Sequence, residues 1–92
     1  MMEYQIGQVV YSKSGHDKGN LCMIISVEGM YVWLVDGKCR KLAKPKRKKM
    51  IHIQPTKYVD AEIANKLAQN AYVLDADIAK ALKRYREKSV AK

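Results

Sequence analysis

Residues 21–37, LCMIISVEGMYVWLVDG, decide how the first half of the chain is expected to fold. They hold a near-continuous apolar run at Leu21–Val27 and a β-branched and aromatic run at Tyr31–Val35, each of strand length. Glu28-Gly29 marks a turn between the runs. Asp36-Gly37 predicts a tight turn after them, because both residues tolerate positive φ. The stretch therefore predicts two antiparallel strands and two turns.

Three more short strands are expected outward from this stretch. They are Gly7–Ser12, Lys38–Ala43 and Met50–Gln54. A polar loop at residues 13–20 follows the first of them, Pro45 interrupts the region before the last, and Pro55 is expected to end it. Five short strands with tight connections favour a small antiparallel barrel, because closure removes the exposed edges of the sheet. An open meander is the alternative.

The chain changes character after Tyr58, where Ala, Lys and Glu become frequent. Asp60 is a plausible N-cap for a first helix. Apolar residues follow it at helical spacing: Ile63, Ala64, Leu67, Ala68 and Ala71. A break at residues 70–74 precedes a second helix, which Asp75 or Asp77 can cap. The apolar face of that helix comprises Ile78, Ala79, Leu82 and Tyr85.

The predicted fold class is therefore mainly β with C-terminal α-helices. Residues 1–58 are expected to form the barrel, and residues 59–92 a two-helix extension packed on it. A chain of 92 residues fits one domain and leaves no room for a large catalytic cleft beside a second domain.

The charge balance points to a polyanionic partner. Eighteen Lys and Arg residues oppose nine Asp and Glu residues, for a net charge of +9. Nucleic acid and an acidic membrane surface both fit such an excess. No apolar run reaches the roughly 18 residues that a membrane span needs. Residues 1–5 lack the pattern of a signal peptide. Two cysteines are too few for a disulfide framework, so a cytoplasmic, reducing location is predicted.

The positive charge is concentrated in residues 38–49. This segment contains no acid and eight basic residues: Lys38, Arg40, Lys41, Lys44, Lys46, Arg47, Lys48 and Lys49. Their mutual repulsion opposes folding, and the phosphates of a partner would relieve it. The predominance of Lys over Arg favours recognition of backbone and shape rather than sequence, which is common for RNA. A solvated basic loop is the simpler alternative, and residues 44–49 also look like a nuclear-import signal.

The β part resembles a known family. Residues 6–10 (IGQVV), 15–19 (GHDKG) and 21–27 (LCMIISV) resemble the KOW motif. Residues 32–37 (VWLVDG) and 46–56 (KRKKMIHIQPT) look like the corresponding parts of the archaeal and eukaryotic ribosomal large-subunit protein fourteen-e family. Small bacterial KOW-domain RNA-binding proteins are the group most similar to the chain. The resemblance covers residues 5–58 and not the helices.

This resemblance implies an SH3-like five-stranded barrel that binds ribosomal or other structured RNA. In the family, the KOW loop and nearby basic residues approach the RNA. Carried onto this chain, the RNA-binding residues comprise the basic segment 38–49 together with Lys13, Ser14, Gly15, His16, Lys18 and Gly19. Gly15 and Gly19 would leave room for a phosphate. The simpler interpretation of Gly19 is that the turn requires it.

Metal and catalytic sites are not predicted. Cys22, Cys39, His16 and His52 include no pair with the close spacing of structural zinc ligands, and Cys22 is more simply a small buried hydrophobe. The sequence contains no evident nucleophile, base and acid set and no phosphate loop. We therefore expect neither an enzyme nor a cofactor.

Tyr31 and Trp33 share one face of their strand, opposite Val32 and Leu34. They are expected either to stack on bases or, more readily, to pack under the helices. The main functional hypothesis is RNA binding, with the ribosome or another structured RNA as partner. The alternative is a protein-interaction module of the transcription or translation machinery. A membrane surface ranks third, because the second helix lacks a large apolar face.

Overall fold

A five-stranded sheet and two C-terminal helices make up the protein. The structure is a computed structural model, and it describes residues 4–13 and 19–90, with side chains to Lys88. The strands are β1 (Gln8–Ser12), β2 (Leu21–Glu28), β3 (Tyr31–Val35), β4 (Lys46–Lys49) and β5 (Ile53–Val59). The helices are α1 (Ala61–Ala68) and α2 (Asp75–Val90). The predicted class, mainly β with C-terminal α, is confirmed.

The strands form one antiparallel sheet in the order β4-β3-β2-β1-β5. The first three strands lie where the alternation of β-formers and turns predicted them, and β2 and β3 are joined at Gly29. A register shift lies between Ile24 and Ser26, and it adds one residue to β2 relative to β3. Strands β4 and β5 are the two edges of the sheet.

Each face of the sheet carries its own apolar cluster, because successive side chains of a strand point to opposite faces. The helices cover the first face, where the buried cluster comprises Val9, Leu21, Met23, Val35, Ile63, Ile78, Ala81 and Leu82. The second face holds Val10, Cys22, Ile24, Val32, Leu34 and Ile53, with Tyr4 and Met50 packed against them. We call these the helix face and the inner face.

Curvature of the sheet buries the inner face. Val10, Ile24 and Val32 on that face have no exposed surface. The ammonium group of Lys48 on β4 donates a hydrogen bond to the hydroxyl of Ser12 on β1. Because β1 lies three positions from β4 in the sheet, this contact requires the sheet to curl around its own apolar side chains.

The strand predicted at Lys38–Ala43 is wrong: residues 37–44 form bends and turns, and the fourth strand is Lys46–Lys49. The carboxylate of Asp36 accepts hydrogen bonds from the backbone N–H groups of Lys38 and Arg40, both at 2.8 Å. These bonds fold the backbone back on itself, as Asp commonly does in turns. Pro45 then immediately precedes β4 rather than interrupting a strand.

The prediction for the last strand is also corrected. Met50–His52 forms a turn of 3₁₀ helix, and β5 runs from Ile53 to Val59 through Pro55. Proline lacks an N–H donor and is tolerated in strands mainly at edges and irregularities. Both conditions hold here, since β5 is an edge strand and the pairing register shifts between Gln8 and Val10, next to Pro55.

The predicted N-cap of α1 is confirmed, because the Asp60 carboxylate accepts a hydrogen bond from the Ile63 N–H at 3.1 Å. The helix ends at Ala68, so Ala71 lies beyond it, and Asn70 adopts a φ of 56° that suits a helix end.

The two aspartates expected at the start of α2 have separate roles. Asp77 accepts from the Leu74 N–H at 3.0 Å, which is a capping contact that reaches back from the first turn. Asp75 accepts instead from the Leu42 N–H, at 2.7 Å. One aspartate therefore caps the helix, and the other fastens the turn region of residues 37–44 to it.

Two glycines allow the helices to approach the sheet closely. A Cβ atom on Gly7 would lie 2.8 Å from the Cβ of Ala64 in α1. A Cβ atom on Gly37 would lie 2.5 Å from the carbonyl oxygen of Asp75 and 2.9 Å from the backbone nitrogen of Ala79. Both glycines also have positive φ. A side chain is therefore disfavoured at these positions by the backbone conformation as well as by the lack of space.

Candidate nucleic-acid interface

The basic segment 38–49 divides into two structural parts. Residues 38–44 belong to the turn region, and Lys46–Lys49 form edge strand β4. In β4 the side chains alternate between the faces of the sheet, so four consecutive cations serve two different surfaces. Arg47 and Lys49 lie opposite Trp33 and Tyr31, whereas Lys46 and Lys48 lie opposite Leu34 and Val32.

The inner-face side gathers three of the predicted RNA-binding residues. Arg40, Lys46 and Lys48 line a small hollow together with Ser12, Cys22 and Leu34. Lys13 follows Ser12 directly, and its backbone N–H donates to the carbonyl oxygen of His52 at 2.8 Å. Ser12, at the end of β1, therefore lies beside the basic strand, and Lys13 is bonded to the 3₁₀ turn that follows that strand.

The opposite side of β4 combines cations with aromatic rings. The guanidinium carbon of Arg47 lies 4.6 Å from the centre of the Tyr31 ring, which is a cation–π contact. Trp33 is the cross-strand partner of Arg47, and Lys49 is the partner of Tyr31. Both rings are partly buried. This side therefore presents two aromatic and two basic side chains on adjacent strands.

Lys38 and Gly19 line a separate groove of about 290 Å³ between the base of the 13–20 loop and α2. Tyr11 and Arg86 also line it. A hydrogen bond with Tyr85, together with burial, raises the pKa of Tyr11 above its ordinary value. Arg86 was not singled out from the sequence as a site residue. In the sequence Arg86 is one of several cations of α2, and nothing near it in the sequence indicates that this helix lies beside the loop.

Lys41 and Lys44 are exposed on the turn region. The Lys44 N–H donates to the Lys41 carbonyl oxygen at 2.9 Å, which closes a tight turn between them. The carboxylates of Asp36 and Asp75 hold the same region in place by accepting hydrogen bonds from its backbone N–H groups. These lysines are therefore presented by a backbone that is fastened in place.

Of the predicted loop residues, Ser14, Gly15, His16 and Lys18 lie outside the described residues. Gly19 has a φ of 84° and donates its N–H to the Ser12 carbonyl oxygen at 2.7 Å. Ser12 in turn donates to the Asn20 carbonyl oxygen at 3.0 Å. These bonds support the simpler interpretation that the turn requires Gly19.

Within the described part of the chain, the ion-paired carboxylates lie on the helical side. Asp60 accepts from Arg84 at 2.8 Å, and Glu62 lies 3.9 Å from both Arg84 and Lys66. The hydrogen bond with Asp60 raises the pKa of Arg84 above its ordinary value. The carboxylates of α1 thus neutralise helix cations rather than those of β4.

Cys22 is buried on the inner face, as expected for a small hydrophobe, and Cys39 is exposed. Among residues 4–13 and 19–90, no three His, Cys, Asp or Glu side chains cluster as metal ligands would. No helix in those ranges has the length and apolar character needed to cross a membrane. No protein-family model matches the chain, and no curated protein sequence matches it either.

Proposed function

We propose that the protein binds structured RNA by capturing phosphates with the basic surface around β4. The observation that carries this proposal is the convergence of Arg40, Lys46 and Lys48 on one hollow. Three cations brought together from the turn region and β4 form a denser positive surface than a solvated loop would. Phosphate groups supply the charge that such a surface lacks.

The proposed mechanism is electrostatic, and binding needs little rearrangement of the protein. Edge strand β4 fixes the spacing of its cations, and Asp36 and Asp75 fasten the neighbouring turn region. Because the backbone is held before binding, less conformational entropy is lost in the complex. Lysine gives point-charge contacts to phosphate, and Arg40 and Arg47 add forked ones.

Three finer points belong to the same proposal. The curled sheet closes into an SH3-like barrel of the KOW type, the RNA is ribosomal or another structured RNA, and the protein acts in the cytoplasm without catalysing a reaction. The curvature required by the Lys48–Ser12 contact supports the first point. The resemblance of residues 5–58 to KOW-domain proteins supports the class of RNA. The low cysteine content of the sequence supports the location, and the lack of an evident nucleophile, base and acid set supports a role without catalysis.

Two alternatives explain parts of the same surface. Lysine on an edge strand prevents sheets from pairing edge to edge, and β4 is an edge strand. A protein-interaction module is favoured instead by Met30 and Ile51, which are 66% and 65% exposed. The Met50 N–H donates to the Met30 carbonyl oxygen at 2.9 Å, so these apolar side chains flank one contact at the end of the sheet.

Replacing Lys46 and Lys49 by glutamine tests the proposal. Both side chains are exposed, so the fold should be retained. If the whole surface contacts about 4–6 phosphates, log K should fall with log salt at a slope of roughly −3 to −5. The double variant should bind a labelled hairpin of large-subunit ribosomal RNA roughly tenfold more weakly at low salt, with the slope reduced by about 1.5. Fluorescence anisotropy at several salt concentrations measures both quantities.

Lys80→Gln with Lys83→Gln is the matched control, because it removes the same charge from exposed positions of α2. We expect this control to retain affinity within about twofold. Equal losses in both double variants would show a nonspecific charge effect and overturn the site. If β4 lysines only prevent edge pairing, the Lys46/Lys49 variant would self-associate in size-exclusion chromatography and keep its affinity for RNA. Partners captured from lysate that survive nuclease treatment and need Met30 or Ile51 would favour the interaction module.

A further inference from the structure

We infer that the helix-face side of β3 and β4 is a stacking surface for unpaired RNA bases, formed by Trp33, Tyr31 and Arg47. The inference rests on the proposed RNA binding and adds the class of RNA segment recognised. Capture of phosphates by lysine does not distinguish paired from unpaired RNA. A platform of aromatic rings does, because only a base outside a helix can lay its face on a side chain.

The register of the two strands places these groups in two adjacent rows. One row contains Ser26, Trp33 and Arg47, and the other contains Glu28, Tyr31 and Lys49, each from β2 to β4. Residues directly opposite each other on one face of antiparallel strands have their Cβ atoms about 4.5–5.5 Å apart. The rings and the cations therefore form one continuous patch.

Within residues 4–13 and 19–90, neither ring belongs to an apolar cluster. The partly buried side chains packed against the helix-face cluster are Tyr11, Ile25, Leu42, Tyr58, Leu67, Val73 and Tyr85. Those packed against the inner-face cluster are Tyr4 and Met50. Among the described residues, Trp33 and Tyr31 are in neither set, so the structure does not place them in the packing under the helices that the sequence favoured. Both rings keep part of their surface in solvent.

Arg47 gives the patch its preference for nucleic acid. Its guanidinium group already lies over the Tyr31 ring, so one planar face contacts Tyr31 and a base can stack on the other. Its N–H groups at the same time point outward in the plane, where they can donate to a phosphate or a base edge. Lys49 adds a second cation in the next row, and Glu28, at the end of β2, bounds the patch on its far side.

Trp33 reports directly on the proposed contact, because it is the single tryptophan of the chain. Stacking of a base on its ring should quench its fluorescence. We expect a short oligouridylate to quench Trp33 emission in a saturable titration. A blunt RNA duplex and inorganic polyphosphate should quench it weakly, since they offer phosphates without accessible base faces.

The variants separate stacking from charge. Trp33→Leu should weaken oligouridylate binding roughly fivefold or more and leave polyphosphate binding unchanged. Arg47→Lys retains the charge and Trp33 but loses the planar group, so it should weaken oligouridylate binding several-fold and reduce the quenching. Lys83→Arg, at an exposed position of α2 outside the patch, is the control and should preserve both. Because Arg47 is exposed, the Arg47→Lys arm remains informative if Trp33→Leu does not fold.

The outcomes distinguish this inference from the proposed function. If the ribosomal hairpin binds with the expected salt dependence but oligouridylate leaves Trp33 emission unchanged, the stacking surface is wrong and phosphate capture stands. Equal quenching by duplex and oligouridylate also overturns it. If neither RNA nor polyphosphate binds, both proposals fail together.

Discussion

Replacing Gly37 by alanine is expected to destabilise the protein by about 3 kcal/mol or more. A positive φ costs an alanine roughly 1–2 kcal/mol. The added Cβ would also lie 2.5 Å from the Asp75 carbonyl oxygen, and forcing atoms into a packed site costs roughly 1–3 kcal/mol. The two nearest atoms, the Asp75 carbonyl oxygen and the Ala79 nitrogen, belong to the backbone of α2. The clash can therefore be removed only if the helix moves away from Met23 and Val35. Chemical denaturation followed by circular dichroism measures the loss.

Gly29→Ala is the matched control for Gly37→Ala. Gly29 also has a positive φ, of 60°, but nothing lies within 4 Å of its Cβ position. We expect only the backbone cost of roughly 1–2 kcal/mol. Equal destabilisation by the two substitutions would mean that α2 does not press on the Asp36-Gly37 turn as the structure describes.

Asp60→Ala is expected to cost about 2–4 kcal/mol, because one carboxylate makes two contacts. Its loss as N-cap of α1 accounts for about 1 kcal/mol, and its charged hydrogen bond to Arg84 for roughly 1.5–3 kcal/mol. Asp60 is 4% exposed, so water replaces neither contact well. Denaturant unfolding of the variant measures the total loss.

Two further variants apportion the effect of Asp60. Asp60→Asn keeps an oxygen that can cap α1 and removes the charge, so it should cost about half as much. Glu62→Ala should change stability by less than about 0.5 kcal/mol, because Glu62 is 66% exposed and its ion pairs are long. A loss for Glu62→Ala as large as that for Asp60→Ala would contradict the proposed roles.

The parts of the fold that the sequence predicted depend on local patterns. The strands at β1, β2 and β3 follow from runs of β-formers bounded by turn residues, and the N-cap at Asp60 follows from its position before a helical repeat. Each pattern lies within about ten residues. Local patterns are enough to predict such elements, and tertiary contacts stabilise them.

The position of β4 could not be predicted for a corresponding reason. Asp36-Gly37 predicted a tight hairpin, which would return the chain at Lys38. The Asp36 carboxylate instead bonds to two backbone N–H groups, and Asp75, from a different element, takes the N–H of Leu42. Because residues 42 and 75 are far apart in the sequence, no local sequence pattern near either one indicates that they are in contact. The continuation of β5 through Pro55 was missed similarly, because only the sheet order makes β5 an edge.

The sequence predicted which segment carries the cations of the candidate site, but not how their side chains are arranged on the sheet. The count of cations in residues 38–49 identified the segment, yet their division between two faces follows from the register of β4 with β3. The role of Trp33 also depended on that register. Its strand face was evident from alternation, whereas the extent of the helices over that face was not.

The hydrogen bond from the Leu42 N–H to Asp75 ties the basic turn region to the first turn of α2, so we expect the two to open together. Local openings of a native protein occur in contiguous cooperative segments, and hydrogen exchange reports the free energy of each opening. The Leu42 amide should therefore exchange at the rate set by undocking of α2 from the sheet, rather than at the rate of an exposed loop. Any event that loosens α2 would then release Lys41 and Lys44 as well, so a ligand held by those lysines would raise exchange protection in a helix that it does not touch.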